Sequence, residues 1–441
     1  MKKRKLINFI KGFRIEKTEE KLQQYVKMCF LDTIMVLSAG TRNQSSGKAA
    51  TFAKKYFSGA DATILRTGER VGLMGAALAN AMAANALDMD DGFNLTKGHP
   101  GAGIIGGIIS ASEMLECSYG DFLSALLVGY EISMRQGLCV QNYYNFYHST
   151  GAYIGVGIAA AINKLWNTTD EELVNSIGIA DYYGPLVPCM RTVREPSMNK
   201  DGIYLGTQIG VEAVLLARSG FDGKAPLLLD DRYKDHIRTL GEKYYIYDLY
   251  FKFFSCCRWA QSALTALEDI MTKNVIDLNK IEKIEVYSYG ASGELYSGIP
   301  SNETEAQYNL RYPIASYLLN GDFGPMQSSI KIDQSNAIRE LMDKIIFIPC
   351  KEFEDAFPQK RYSKVVIWMT GGKNISSNIV EPKGEPGAKD NYIKIVEKGV
   401  NINKTFSDVD KLRNVINIIL KSDYGIPFND VLNAILSISI V

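Results

Sequence analysis

Two of the three histidines in the sequence lie in segments suited to acid–base chemistry. His99 follows three carboxylates, Asp88, Asp90 and Asp91, in the stretch LDMDDGFNLTKGHPGAG at 87–103. Histidine transfers protons near neutral pH, and a neighbouring carboxylate can fix its tautomer and raise its basicity. Asp88 and His99 are therefore candidate catalytic residues. The alternative is that Asp90 or Asp91 caps a helix while His99 fills a turn.

His148 stands just before the glycine-rich segment GAYIGVGIAAAI at 151–162, where a helix is expected to begin. Backbone N–H groups at a helix N-terminus favour anions, so this histidine could bind a substrate carboxylate or move a proton. A histidine between aromatic residues is as often packed and hydrogen-bonded, and both interpretations stay open. His236 lies in a charged stretch and is interpreted as a bystander.

A third segment, MRTVREPSMNKDG at 190–202, carries Arg191, Arg194 and Lys200 between prolines and a glycine. Arginine grips a carboxylate with two hydrogen bonds, whereas lysine acts as a point charge or, once desolvated, as an acid–base group. The segment is typical of an anion-binding loop. A solvated loop with ordinary surface charges is the alternative.

A fourth segment, YFKFFSCCRWAQSAL at 250–264, places Lys252 among aromatic residues. A charge in such surroundings is costly unless it is paired. Lys252 is therefore expected to face a substrate carboxylate, or to donate a proton with a lowered pKa. Cys257 and Arg258 are assigned to substrate binding beside it, although adjacent cysteines in an apolar run are more often core residues than nucleophiles.

The elements that must position these residues are mainly helical. From about residue 19 to 267, apolar residues recur at intervals of three and four, as in 21–38, 74–88 and 120–134. The segments 281–290, 344–350 and 362–372 instead predict strands, since they are rich in β-branched residues and separated by turn signals. Helical periodicity returns in 408–422. We predict a mainly α protein with a smaller α+β part.

The amino-acid composition and the absence of certain motifs argue against several classes of function. Lysine plus arginine and aspartate plus glutamate both number 49, so no basic surface for nucleic acid is expected. No segment has the length and apolarity of a membrane span. The seven cysteines form no CxxC pair and have no histidine at zinc-ligand spacing, which predicts reduced thiols in a cytoplasmic protein without a metal. Motifs for nucleotide binding, zinc proteases and α/β-hydrolases are absent.

Taken together, the motifs resemble the MmgE/PrpD family in that family's order. They are KMCFLDT (27–33), LDMDDG (87–92), KGHPGA (97–102), YHSTG (147–151), SMNKDG (197–202), GVEAVLLARSGFDG (210–223), CCRWAQ (256–261) and VEPKGEPG (380–387). The resemblance implies a discontinuous helical domain, a smaller inserted α+β lid domain, and a homodimer with the active site between the domains. Applied to this chain, the helical domain covers 1–267 and 401–441, and the lid covers 268–400.

The resemblance also implies catalytic roles for Asp88, His99, His148, Lys200 and Lys252, without a cofactor. The substrate would be a small di- or tricarboxylate, and the shared step would be proton transfer at a carbon next to a carboxylate. A hydro-lyase of the 2-methylcitrate dehydratase kind is the leading hypothesis. The alternatives are an epimerase or racemase of an amino- or imino-dicarboxylate, a cis-aconitate-type decarboxylase, and a catalytically silent polyanion-binding protein.

Two positions depart from the decarboxylase members: Gly92 stands where they have a threonine, and Cys257 where they have a histidine. The four residues His99, His148, Lys200 and Lys252 are expected to converge on one pocket with Asp88. Replacing Lys252 by methionine is expected to cost most of the activity and little thermal stability.

Overall fold

The computed structural model describes residues 1–441, and most of them lie in helices. In chain order, helices α1 to α20 are Lys2–Gly12, Glu20–Gly40, Gln44–Tyr56, Leu73–Asn85, Pro100–Glu113, Tyr119–Tyr143, Gly151–Trp166, Asp170–Tyr182, Cys189–Arg194, Ile203–Arg218, Lys234–Arg238, Arg258–Met271, Gly290–Gly293, Glu303–Gln307, Arg311–Asn320, Asn336–Asp343, Lys351–Ala356, Asn391–Asn403, Val409–Lys421 and Phe428–Ser439. Strands β1 to β8 are Ala62–Thr63, Arg70–Val71, Gly92–Phe93, Leu249–Tyr250, Ile281–Ser288, Ile345–Pro349, Lys364–Met369 and Asn374–Ser376. The prediction of a mainly α protein is confirmed.

Local signals in the sequence set several helix ends. At the start of α6, Ser118 and Asp121 form a capping box, in which each side chain accepts a hydrogen bond from the other residue's backbone N–H. Helix α5 begins with Pro100, whose missing N–H would have no partner in the first turn. Helix α7 ends at Asn167, which adopts the left-handed conformation common at helix C-termini.

The larger hydrophobic core is helical and is built from both ends of the chain. It contains buried residues from Leu6 to Phe251 and then again from Ile395 to Ile438. Its alanine- and glycine-rich helices approach closely: a Cβ added at Gly106 of α5 would lie 2.5 Å from the backbone nitrogen of Ala81 in α4. Glycine and alanine at these positions therefore allow the helix backbones to pack against each other.

The smaller core lies around a four-stranded sheet with the strand order β6-β5-β7-β8. Strand β5 pairs with β6 in parallel and with β7 antiparallel, and β7 pairs antiparallel with β8. The three strands predicted from the sequence are β5, β6 and β7. Helices α12, α15 and α16 pack their buried residues into this core.

The division into a helical and a lid domain stays a prediction, but the packing favours different boundaries. Helix α12 begins at Arg258 and belongs to the smaller core, whose main stretch starts at Phe254. Helix α18 begins at Asn391 and carries Ile395 into the larger core. Boundaries near 254 and 391 therefore fit the packing better than 267 and 400, since amphipathic helices follow the core that their apolar side enters. None of the helices has both the length and the apolar character needed to cross a membrane.

Candidate active site

A short antiparallel pairing joins the aspartate segment to the lysine segment. Strand β3 pairs with β4, so that Gly92 lies opposite Tyr250. A Cβ added at Gly92 would lie 2.3 Å from atoms of the Tyr250 ring. The glycine is needed because Tyr250 fills the space that a side chain at position 92 would take. This packing gives a physical reason for one of the two departures from the decarboxylase pattern.

Lys252 is buried between two carboxylates. Its Nζ contacts Asp88 Oδ1 and lies 3.3 Å from Asp90 Oδ1, and all three side chains are shielded from solvent. Burial alone would lower the pKa of Lys252, but the two aspartates raise it above its ordinary value. Burial would likewise raise the pKa of Asp88, which Lys252, Lys200 and His99 bring down to about 2. The expected proton donor with a lowered pKa is therefore wrong, because the ammonium is stabilised as a charge.

Lys200 lies on the other side of the same cluster. Its Nζ donates hydrogen bonds to the carbonyl oxygens of Asn85 (3.0 Å) and Ala86 (3.1 Å), where α4 ends. A cation at a helix C-terminus is favourable because the last carbonyls have no partner within the helix. Lys200 thereby fixes the turn that leads into Asp88.

Backbone strain is concentrated around this cluster. Only four residues other than glycine have a positive φ, and three of them are Asp88 (51°), Lys97 (53°) and Lys200 (39°). Such conformations cost roughly 1–3 kcal/mol each and persist where the surrounding structure enforces them, often at functional sites. The strain supports a functional reading of these segments independently of their side-chain chemistry.

Lys398 of α18, which belongs to none of the sequence motifs, also contacts the segments that carry this cluster. Its Nζ lies 2.7 Å from Asp32 Oδ1 and donates to the carbonyls of Met89 (2.9 Å) and Lys252 (2.8 Å). All of these groups are buried. Lys398 thus joins α2, the aspartate segment and the lysine segment through one ammonium.

His99 is oriented by two hydrogen bonds. Its backbone N–H donates to Thr150 Oγ1 (2.8 Å), and its Nδ1 lies 3.0 Å from the carbonyl oxygen of Asp91. Because a carbonyl oxygen can only accept, Nδ1 carries the proton and Nε2 has the free lone pair. Oxygens of Asp88 and Asp90 lie within 4.8 Å of a ring nitrogen of His99. Negative charge is therefore available to stabilise the imidazolium that forms when Nε2 takes up a proton.

Asp88, Asp90 and His99 are also the one set of residues with the spacing of metal ligands. Two carboxylates and an imidazole would suit a divalent ion. The ammonium of Lys252, however, contacts both carboxylates and supplies the positive charge there. A metal at this position would have to displace a buried lysine, so the residues present do not fit an ion well.

A small cavity of about 30 Å³ lies between the two cores, beside His99. On the side of the larger core it is lined by Lys97, His99, Asp201 and Tyr250. On the side of the smaller core it is lined by Tyr147, Cys189, Val193, Cys257, Arg258, Trp259, Tyr308 and Arg361. Ligand pockets typically measure about 300–1,000 Å³. This cavity has room for only a few water molecules, so the site is closed in this conformation.

The predicted residues are only partly brought together. Asp88, His99, Lys200 and Lys252 form one buried cluster, but of these only His99 lines the cavity. His148 is buried and packs against Phe146 with ring centroids 4.0 Å apart, and neither ring nitrogen has a hydrogen-bond partner. It does not line the cavity either, so its catalytic role stays a prediction. Burial lowers its pKa.

Two of the predicted substrate-binding residues lie elsewhere. Arg194 is on the surface and pairs with Glu294 at 2.9 Å, and Arg191 is exposed. Neither lines the cavity. Their assignment to substrate binding stays a prediction that this conformation does not support, because α9 turns Val193 inward and both arginines outward. Cys257 and Arg258 do line the cavity. Burial raises the pKa of the Cys257 thiol, which therefore stays protonated and is a poor nucleophile.

Comparison with known proteins gives two family matches along the chain. The MmgE/PrpD N-terminal domain matches residues 4–234, and the MmgE/PrpD C-terminal domain matches residues 254–423. The second match begins where the smaller core begins.

Curated relatives resemble the chain over nearly its whole length, at low identity. A cis-aconitate decarboxylase-like protein, oryM, from Aspergillus oryzae is 22% identical over 97% of this chain and 95% of its own. A cis-aconitate decarboxylase from Aspergillus terreus is 20% identical over 90% of this chain and 88% of its own. Since the two domain matches together cover most of its residues, the chain belongs to the MmgE/PrpD family.

Proposed function

We propose that the protein is a lyase acting on a small di- or tricarboxylate, and that it is a hydro-lyase of the 2-methylcitrate dehydratase kind. The observation that carries the proposal is the tautomer of His99. Its Nδ1–H is held by the Asp91 carbonyl, which leaves Nε2 as the basic nitrogen of a side chain at the cavity wall. Names of relatives that act on cis-aconitate support a carboxylate substrate.

In the proposed reaction, Nε2 of His99 removes a proton from the carbon next to a substrate carboxylate. The electron pair left on that carbon forms the new double bond as the neighbouring C–O bond breaks. The imidazolium returns the proton to the departing hydroxide, so that water is the second product. Positioned acid–base catalysis of this kind contributes about 10²- to 10⁴-fold in rate.

The surrounding charges fit this chemistry. Asp88 and Asp90 lie near the ring and stabilise its protonated form, while Lys252 balances their charge. Among the residues that line the cavity, Lys97 supplies positive charge where a substrate carboxylate gains electron density, and Arg258 and Arg361 add two further cations for carboxylates of the substrate. Preorganised charges of this type usually make the largest contribution to catalysis.

The closed cavity requires a motion before substrate can enter. Its walls come from both hydrophobic cores, so separation of the cores would open it. Closure around bound substrate would then exclude water, as active-site lids do. A lid role for the smaller part of the chain follows from the proposal.

The test is incubation in D₂O with a panel of hydroxy-tricarboxylates, unsaturated tricarboxylates and amino-dicarboxylates, followed by NMR. The proposal expects loss of water from a hydroxy acid, or its addition to the unsaturated product. Deuterium exchange with inversion would favour the epimerase, and loss of carbon dioxide would favour the decarboxylase. No change with any compound would favour a silent binding protein.

The sharpest variant is His99→Asn. The asparagine amide can still donate to the Asp91 carbonyl as Nδ1 does, but it offers no base in place of Nε2. Turnover should fall by about 10²- to 10⁴-fold while the protein keeps its fold. His236→Asn, at a half-buried histidine outside the site, is the matched control and should retain turnover.

A further inference from the structure

Arg361 is a buried cation at the cavity that no sequence motif contains and that takes no part in the proposed proton transfer. It lies between α17 and β7, with 3% of its surface exposed. Its Nη1 donates to Asn94 Oδ1 at 2.6 Å and to the Pro358 carbonyl at 3.0 Å, whereas its Nε has no partner. Asn94 belongs to the segment between Asp91 and His99, so Arg361 reaches from the smaller core to the catalytic loop.

Arg258 lies on the same cavity wall and is also incompletely paired. Its Nη2 contacts Glu385, but its Nε and Nη1 are buried without an acceptor. The guanidinium carbon lies 3.8 Å from the centre of the Tyr250 ring, so the aromatic face supports it from one side. Buried guanidinium N–H groups without partners are rare in folded proteins, and each calls for an explanation.

The positive charges around the cavity outnumber the acceptors that face them. Lys97, Arg258 and Arg361 all line it, and the one carboxylate among the lining residues is Asp201. Asp201 is already engaged by Ser149 Oγ at 2.8 Å and by the Tyr308 hydroxyl at 3.3 Å. Burial lowers the pKa values of Lys97 and Arg258, and the charge of Arg361 lowers both further. Arg361 therefore repels both of the other cations, and an anion bound beside it would relieve that repulsion.

We propose that Arg361 and Arg258 form a second carboxylate subsite, which holds a carboxylate of the substrate other than the one next to the reacting carbon. This inference rests on the proposed function and deepens it. Arginine recognises carboxylates through parallel N–H groups, and the unpartnered nitrogens offer such donors. The subsite makes the protein specific for substrates with at least two carboxylates.

The contact of Arg361 with Asn94 gives the subsite a second effect. A carboxylate bound by Arg361 is connected through one hydrogen bond to the loop that carries His99. Binding at the subsite therefore favours the closed arrangement in which His99 faces the substrate. Substrates that lack the distal carboxylate would leave the guanidiniums unneutralised and the closed state disfavoured.

The test compares Arg361→Gln with wild type by calorimetric titration of tricarballylate, glutarate and butyrate, which carry three, two and one carboxylates. Because the variant loses a charged hydrogen bond, its affinity for tricarballylate and glutarate should fall by about 10- to 100-fold, and its affinity for butyrate should change little. Arg361→Lys should recover part of the affinity, since it keeps the charge but not the planar donors. Arg194→Gln, which removes a surface arginine paired with Glu294, is the matched control and should bind all three like wild type.

The outcomes separate the subsite from the proposed reaction. If wild type and Arg361→Gln bind tricarballylate with equal affinity, and circular dichroism shows that both are folded, the subsite proposal is wrong. The proposed reaction is not affected by that result. The expected affinity pattern without turnover of any hydroxy acid by wild type would overturn the reaction and leave the subsite standing. If Arg361→Gln fails to fold, Arg258→Gln is titrated instead and must show the same selective loss.

Discussion

The ammonium of Lys252 contacts the carboxylate of Asp88 in a part of the structure from which solvent is excluded. The two residues come from segments on either side of the β3–β4 pairing, and their charges stabilise each other. A buried pair of this kind contributes little net stability compared with apolar residues, but it is costly to break on one side only. The expectation that Lys252 can be replaced at little cost in stability must therefore be revised.

Lys252→Met should abolish most activity and also destabilise the protein by about 3–5 kcal/mol, because Asp88 and Asp90 would remain buried without a counter-charge. Denaturant unfolding measures the loss. Lys234→Met, at an exposed lysine, is the control and should change neither property. The double variant Lys252→Met with Asp88→Asn should recover part of the stability without activity. A double variant as unstable as the sum of its single changes would contradict the pairing.

Turnover should not depend on an added metal ion. Two of the three possible ligands, Asp88 and Asp90, already contact the Lys252 ammonium, and the third is His99. Treatment with a chelator, followed by the NMR assay, should leave the rate unchanged. Loss of turnover that one particular divalent ion restores would show that the ammonium does not replace a metal.

Stability should fall as the pH rises from about 4 to 7. Burial, together with the charge of Asp90, raises the pKa of Asp91 to about 7, despite hydrogen bonds from Tyr130 and Gly101. In the unfolded chain the pKa is about 3.9, so the folded state binds the extra proton in this range. The stabilisation is complete below the lower value and is lost as the pH passes the upper one, at up to about 1.4 kcal/mol per pH unit.

Asp91→Asn tests this pH dependence, since the amide can accept from Gly101 and donate to Tyr130 but does not titrate. Unfolding free energies across the same pH range should give a smaller slope for the variant than for wild type. Burial also raises the pKa of Glu131 to about 7, so some slope should remain. Identical slopes would show that Asp91 is ionised throughout.

The homodimer remains a prediction from the family resemblance. Light scattering after size-exclusion chromatography should give a mass of about twice the chain mass of 49.0 kDa. Dilution should shift the distribution toward monomer only at low concentration, as a stable interface requires. A single species with the chain mass at every concentration would contradict the prediction.

Much of the fold and part of the site could be predicted from the sequence. Helical periodicity and β-branched runs are local, and they placed the main helices and strands correctly. The sequence could indicate Asp88, His99 and Lys252 as site residues because each is an ionisable side chain among apolar or glycine-rich neighbours. The sequence shows such settings directly.

The features that differ from the sequence-based expectations, or that no expectation covered, have a common physical cause. Arg361 and Lys398 lie in ordinary charged stretches, and only tertiary packing buries them. Arg191 and Arg194 were selected for their residue type, but the short helix α9 faces them away from the cavity. The packing favours domain boundaries other than the predicted ones, since a helix such as α12 has the same periodicity whichever core it joins.

Lys398 has a consequence for how the protein is made. Asp32, near the start of the chain, and the carbonyls of Met89 and Lys252 all depend on this one ammonium near the end. Until α18 has been synthesised, the nascent chain contains all five candidate catalytic residues but not the contact that fixes two of their backbone segments. A polypeptide truncated before residue 391 would lack the same contact. The proposed activity is therefore expected only once α18 has been synthesised and has packed against these segments.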